Sequence, residues 1–178
     1  MKILIASDIH GSAFYAAAVR ERFDAEKADK LILLGDIYNH GPRNPFPKDY
    51  APQQVAEILN GLTDKLIVVK GNCDSEVDKL ISDFDFVEDC CILTGNKTVF
   101  CTHGHVYNKD NMPKTRYDAV IYGHFHMGFI ERVGGVVVAN AGSCSLPKNG
   151  TPHSYIILDG DKLTLKTIGG EVILEERI

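Results

Sequence analysis

Three apolar runs in the first half of the chain stop abruptly at polar residues. KILIASDIH stops at Asp8 and His10, KLILLGD at Asp36, and KLIVVKGNCD at Asn72 and Asp74. Runs of Ile, Leu and Val without a period of two predict strands buried on both faces, in a largely parallel sheet. Helical spacing lies between them. In PQQVAEILNGLTD, Val55, Ile58, Leu59 and Leu62 fall at i, i+3, i+4 and i+7, with Pro52 near the start. The same spacing recurs in SEVDKLISDF at Val77, Leu80, Ile81 and Phe84, with Ser75 as the expected N-cap. A first helix within residues 12–28 puts Ala16, Val19 and Phe23 on one face.

After about residue 90 the pattern changes to paired strands. ILTGNKTVFCTHGH reads as a hairpin turning at Gly95-Asn96, ERVGGVVVANAGS at Gly134-Gly135, and YIILDGDKLTLKTI at Asp159-Gly160. A β-α-β-α-β half followed by mostly antiparallel strand predicts an α/β fold. Its form is a sandwich of two sheets with helices outside, in one domain spanning residues 1–178. Residues 37–52, IYNHGPRNPFPKDYAP, hold four prolines and no apolar period. A loop of that length predicts a functional lid or an interface.

Bulk properties narrow the function. A 178-residue chain that is 44% apolar suits one soluble domain with a sizeable core. No apolar run reaches the roughly 18–20 residues that span a bilayer, so no membrane partner is expected. The opening MKILIASD is too short for a signal segment and reads as a first strand. A net charge of −5 argues against broad nucleic-acid binding. Cys73, Cys90, Cys91, Cys101 and Cys144 form no CxxC pair, which predicts reduced thiols and a cytoplasmic setting. Cys101 reads as core, and His40 and His153 as solvated loop residues.

Seven residues share one structural place, the end of a strand: Asp8, His10, Asp36, Asn72, His103, His124 and His126. Ligands of open α/β sheets bind outside the carboxyl ends of strands. A single zinc takes about four protein ligands. Seven therefore fit two ions better, each with three private ligands, if Asp36 is shared. Alternate residues of an extended HxH segment sit roughly 6.5–7 Å apart, so His124 and His126 could serve two neighbouring ions or converge on one. Two divalent ions less two carboxylates leave a site near roughly +2, which attracts a phosphate ester and an acidified water. Such a site suits in-line displacement at phosphorus. GNKT at 95–98 lacks the spacing of a phosphate loop.

SDIHGS, LLGDIYNHGPRN, VVKGNCDSEVD, CTHGHVYN, VIYGHFH and NAGSCSLPK together resemble the calcineurin-like metallophosphoesterase superfamily, within it most of all the bacterial YfcE-type phosphodiesterases. The resemblance covers almost the whole chain. It implies a four-layer αββα sandwich, two mixed β-sheets flanked by helices, with two divalent metal ions. By that resemblance Asp8, His10 and His126 hold the first ion, Asn72, His103 and His124 the second, and Asp36 bridges them. The implied activity is phosphodiester hydrolysis by a hydroxide between the ions. Manganese is expected ahead of zinc, iron or nickel because the ligand set is rich in oxygen.

One position departs from the wider superfamily. GNH[DE] is common there, its histidine contacting the phosphate, whereas this chain has GNCD with Cys73 in that place. A thiol is a poor cationic contact, which favours substrates with a good leaving group. The expected catalytic set is Asn72, Cys73, Asp74 and His105; the expected substrate contacts are Cys73 and, on the lid, Asn39 and Arg43. Arg43 offers a two-pronged grip on phosphate oxygens. The expected partner is a small phosphodiester. Tyr38, Phe46 and Tyr50 read as exposed aromatics that hint at a homodimer or higher homo-oligomer. Two other readings share the motifs: a non-catalytic scaffold resembling the retromer subunit of this superfamily, and a nuclease, which the acidic balance disfavours.

Overall fold

A computed structural model describes residues 1–178. Twelve strands form two mixed sheets. In chain order they are β1 (Lys2–Ala6), β2 (Lys30–Leu33), β3 (Leu66–Val69), β4 (Phe86–Val87), β5 (Cys90–Thr94), β6 (Lys97–Cys101), β7 (Ala119–Tyr122), β8 (Gly128–Val133), β9 (Val136–Ala141), β10 (Ser154–Asp159), β11 (Lys162–Thr167) and β12 (Val172–Arg177). The first sheet runs β12-β11-β10-β1-β2-β3-β4, and the second β5-β6-β7-β9-β8. Helices α1 (Ala13–Ala25) and α2 (Pro52–Asn60) belong to the βαβ half.

The continuous apolar runs have a simple cause. In β1, Leu4 and Ala6 join the core under the helices, while Ile3 and Ile5 join the core between the sheets; Leu31, Leu33 and Ile32 divide in the same way in β2. Both faces of the central strands are dry, so both parities must be apolar.

The second half is mostly antiparallel, as expected, through β5–β6, β8–β9, β10–β11 and β11–β12. Three features differ from expectation. At the centre of the second sheet β6, β7 and β9 pair in parallel. The outer face of that sheet carries no helix. Phe100, Val120, Tyr122 and Val138 are covered instead by Tyr107, Met112 and Tyr117 from the β6–β7 crossover, with Phe125 and Phe129. The helical period at 75–84 yields only a 3-10 turn, Glu76–Leu80, in which Val77 and Leu80 are 66% and 84% exposed. Ser75 and Asp78 close a capping box there, but only Ile81 and Phe84 reach the core. Without a buried stripe, a short helix has little to stabilise it.

Glu26 ties the end of α1 to the sheet. Its carboxylate accepts a hydrogen bond from the Tyr155 hydroxyl at 2.8 Å and another from the Lys166 ammonium. Burial opposes its charge, but Lys166 and Tyr155 outweigh that and hold the carboxyl below its ordinary value of 4.5. A depressed folded pKa contributes stability above the unfolded value, and that stability is lost as pH falls through the folded one. Glu26→Gln is therefore expected to cost about 1–3 kcal/mol at pH 7, with the deficit shrinking below pH 4.5. Urea unfolding at pH 7 and pH 3 measures both values; equal deficits would contradict the assignment.

Candidate metal centre and substrate cleft

Five of the seven strand-end residues leave their strands through left-handed backbone: Asp8 (φ 57°), His10 (51°), Asp36 (55°), His124 (63°) and His126 (61°). Few non-glycine residues adopt this conformation, and its cost persists only where the surroundings enforce it. Here it turns the side chains back over the sheet ends toward one point.

Two groups of ligand atoms meet there, and a third, His10, Asp36 and Cys73, overlaps both. Asp8, His10 and His126 form one; Asp36, His103 and His124 form the other. Asp36 Oδ2 lies 3.7 Å from His10 Nε2 and 3.5 Å from His103 Nε2, so it faces both. Asn72 Oδ1 lies 3.0 Å from His103 Nε2, on the second side.

The ring orientations test whether these residues suit a cation. The Nδ1 of His10, His103 and His126 each face a backbone carbonyl, of Asn39, Leu34 and Leu146, at 2.7, 2.6 and 2.6 Å. A carbonyl only accepts, so each Nδ1 carries the proton and each Nε2 presents a lone pair inward. His10 Nε2 and His126 Nε2 then face each other at 3.2 Å. Asp8 Oδ1, buried 3.3 Å from His126 Nε2, has no hydrogen-bond partner. Converging lone pairs and an orphaned carboxylate oxygen repel each other until a cation sits among them.

Where no metal ion relieves this repulsion, a proton does so instead. Burial opposes the charge on Asp8, yet the adjoining His10 and His126 hold its carboxyl well below the usual range. Burial would lower His103, but Asp36 and Asp8 outweigh it and push the imidazole up to about 9. His124, desolvated and beside that charge, is pushed down to about 4.

Glycine precedes three of the seven strand-end residues for steric reasons. A Cβ at Gly123 would lie 1.8 Å from Ser7 Oγ and 2.6 Å from Asp8 Oδ2; one at Gly71 would lie 2.2 Å from Asp36 Oδ1. At Gly35 it would lie 2.5 Å from the Gly71 backbone nitrogen. GD, GN and GH are the spacings at which backbone passes close behind a ligand.

The remaining expected residues divide. Cys73 lines the cleft, and its N–H donates to Asp36 Oδ1 at 2.8 Å. Burial and the neighbouring Asp36 push its thiol up to about 12, so it is neutral at pH 7. Asn39, Arg43 and Asn72 line the same cleft. Asp74, expected to be catalytic, is turned away from it: its carboxylate accepts backbone N–H groups of Asp36, Ile37 and Gly71 at 2.8, 2.8 and 2.7 Å. It positions Asp36 and does not reach a substrate. His105 is exposed, with its ring 5.4 Å from that of His103, and does not line the cleft.

Sequence reasoning missed the second set of positioning residues. Ser143 and Ser145 hydroxyls both donate to the Asp8 carbonyl, at 2.8 and 2.9 Å, and Leu146 supplies the carbonyl under His126. Asn140 bonds the Gly123 carbonyl at 2.6 Å. The available signal was NAGSCSL itself, three polar residues, Asn140, Ser143 and Ser145, closing a buried strand. Lys148, Asn44 and Phe125 also line the cleft without having been singled out.

Other loop readings need revision. Tyr38 is buried at 2% exposure, and its hydroxyl bonds Ser82. Tyr50 packs on His40 and Phe46, which leaves Phe46 alone exposed at 67%. His153 is not solvated: it donates to the Cys144 carbonyl and bonds the Tyr15 hydroxyl. All five thiols are free and Cys101 is core, as expected, although Cys90 lies opposite Cys101 across β5 and β6.

Two mixed sheets with an aspartate–histidine centre at their strand ends define a phosphoesterase fold of the calcineurin type. The calcineurin-like phosphoesterase superfamily domain matches residues 1–163, and the chain belongs to that superfamily. Among its relatives is phosphodiesterase YfcE of Escherichia coli K12, 42% identical over 178 residues, which cover 99% of this chain and 97% of YfcE. A solved structure of that E. coli phosphoesterase superimposes with a TM-score of 0.95 at 40% identity, over 100% of both chains. Vps29 of Entamoeba histolytica, solved with zinc, shares the fold at 21% identity, a TM-score of 0.61 and coverage of 100% and 98%. No helix of the chain is long and apolar enough to cross a membrane.

Proposed function

We propose that the chain is a metal-dependent phosphodiesterase acting on small diesters at the strand-end cleft. The observation that carries this reading is the pair of ligand clusters converging on Asp36, with the Nε2 atoms of His10 and His126 3.2 Å apart. The likeness to phosphodiesterase YfcE over nearly the whole chain supports it. Bound among these residues, two divalent cations would neutralise phosphate charge and render a water nucleophilic near neutral pH. Asp8, His10 and His126 are the ligands on one side, Asn72, His103 and His124 on the other, and Asp36 is shared. Manganese is the proposed metal, since Asp8, Asp36 and Asn72 contribute hard oxygen donors.

The chain's own residues do the rest. The carbonyls of Asn39, Leu34 and Leu146 lock the imidazoles with Nε2 inward. The N–H of Cys73 and the carboxylate of Asp74 hold Asp36 from two directions, through its Oδ1 and its backbone nitrogen. Asn39 and Cys73 contact the scissile phosphate, and Arg43 contacts the rest of the substrate. A neutral thiol at Cys73 donates a proton poorly, and exposed His105 is set back from the cleft, so turnover favours leaving groups that depart unprotonated.

The test removes metal with a chelator and assays bis(p-nitrophenyl) phosphate and p-nitrophenyl phosphate before and after Mn²⁺ is restored. Diester cleavage should fall by at least about 100-fold, several kcal/mol of charge stabilisation being lost. It should return with Mn²⁺ and exceed monoester cleavage. Full activity in the stripped protein would sink the reading. Metal binding without turnover would shift it to a scaffold on the same fold.

A further inference from the structure

The walls of the cleft differ in sign from the rest of the molecule. The chain has a net charge of −5, and its surface cations commonly lie against carboxylates, such as Arg20 on Asp24, Lys79 on Glu76 and Arg132 on Glu176. Inside the cleft, which encloses about 720 Å³, Asp36 is the only carboxylate among the lining residues. Arg43 and Lys148 line it as exposed, unpaired cations, accompanied by the amides of Asn39, Asn44 and Asn72. Pro42 and Phe125 are its only apolar members.

Both cations stand on shaped loops. The Lys148 N–H donates to the His126 carbonyl at 3.0 Å, and the Lys148 carbonyl accepts the Thr151 hydroxyl at 2.8 Å. Arg43 lies in a turn closed by Gly41 N–H on Asn39 Oδ1, at 2.8 Å, and by the Asn44 amide on the His40 carbonyl, at 2.9 Å. Both loops adjoin the ligand floor, the Lys148 loop through the His126 carbonyl and the Arg43 loop through Gly41, where a Cβ would meet Cys73 Sγ at 3.1 Å.

Charge counting separates two kinds of substrate. The phosphate of a diester carries a single negative charge, and in the proposed reading the metal-ligating floor meets it. Arg43 and Lys148 are then surplus to a diester with neutral arms, and an apolar arm finds almost no apolar wall. A phosphomonoester dianion matches the pair: the guanidinium grips two oxygens and the ammonium adds a point charge.

Resting on the phosphodiesterase reading, we infer that the cleft selects diesters whose retained arm carries a second, terminal phosphate, with Arg43 and Lys148 as its specificity-determining contacts. The substrate class is thus a phosphorylated alcohol or sugar esterified through a second phosphate.

Two chromogenic diesters differing only in that group test this: thymidine 5′-(p-nitrophenyl phosphate) and its 3′-phosphorylated form. The 3′-phosphate should raise kcat/KM by about tenfold or more, chiefly through a lower KM, and the advantage should shrink with added salt. In Arg43→Ala, Lys148→Ala and the double variant, the ratio of the two kcat/KM values should fall toward one. That ratio cancels any general loss of activity. A ratio near one in the unaltered protein, or one that survives both substitutions, overturns the inference. If neither diester is turned over, the phosphodiesterase reading fails by itself. Calorimetric binding of thymidine 3′,5′-bisphosphate against thymidine 5′-phosphate to the Mn²⁺-loaded protein then decides: a preference lost in the double variant upholds the inference, and equal affinities overturn it.

Discussion

Asp36→Asn is expected to lower hydrolysis of bis(p-nitrophenyl) phosphate by about three orders of magnitude while leaving the protein folded. Asp36 is the side chain that faces both ligand clusters, at 3.7 Å from His10 Nε2 and 3.5 Å from His103 Nε2. An amide has the same shape and keeps an oxygen for the Cys73 N–H, but it removes one of two negative charges from the floor. Charge stabilisation of several kcal/mol at the transferring phosphoryl group rests on that floor; losing about 4 kcal/mol corresponds to about a thousandfold, at about 1.4 kcal/mol per decade. Steady-state rates, with metal content measured on the same samples, check it. Bound metal should fall to one equivalent or fewer, and the thermal melt should stay cooperative. More than a tenth of the activity, with two equivalents of metal retained, would show that Asp36 is not the shared ligand.

Gly71→Ala is the second large effect, acting through backbone packing. Its Cβ would lie 2.2 Å from Asp36 Oδ1 and 2.4 Å from the Asp36 backbone nitrogen. A side chain alone could swing aside, but the backbone of Asp36 is held by Asp74 and by its own left-handed turn. The collision therefore displaces the carboxylate. Activity should drop by about 10–100-fold, as when the support of a metal ligand is lost. Overpacking should cost about 1–3 kcal/mol of stability. Gly61→Ala is the control: its φ is −70° and its nearest contact 3.4 Å, so neither quantity should move appreciably. Diester assays and urea melts of the two variants decide, and full activity in Gly71→Ala would show that the floor adapts.

Much of the site was legible because its residue types and positions are tied to local chain chemistry. A strand dry on both faces must be apolar at every position, so its end is visible as a sudden aspartate, asparagine or histidine. Roles that depend on direction were not legible. Asp74 follows Asn72 and Cys73 in the same motif, yet its carboxylate points into backbone amides. Ser143 and Ser145 resemble loop serines until their hydroxyls are found on the Asp8 carbonyl. Val77 and Leu80 keep a helical period but face water, because the segment has no surface to pack against.

The sequence by itself determined the α/β class, the seven ligand-type residues, and the glycines that let backbone pass behind them, since these follow from burial and steric rules acting within a few residues. Only the tertiary structure decided which of the seven meet. His10 and His126 are 116 positions apart, and they touch because β10, β1, β2 and β3 lie side by side while β6, β7 and β9 run parallel on the facing sheet. Strand order is set by long-range packing and by which crossovers the two sheets allow, and it places Asp36 between the two clusters and Lys148 in the same cleft as Arg43.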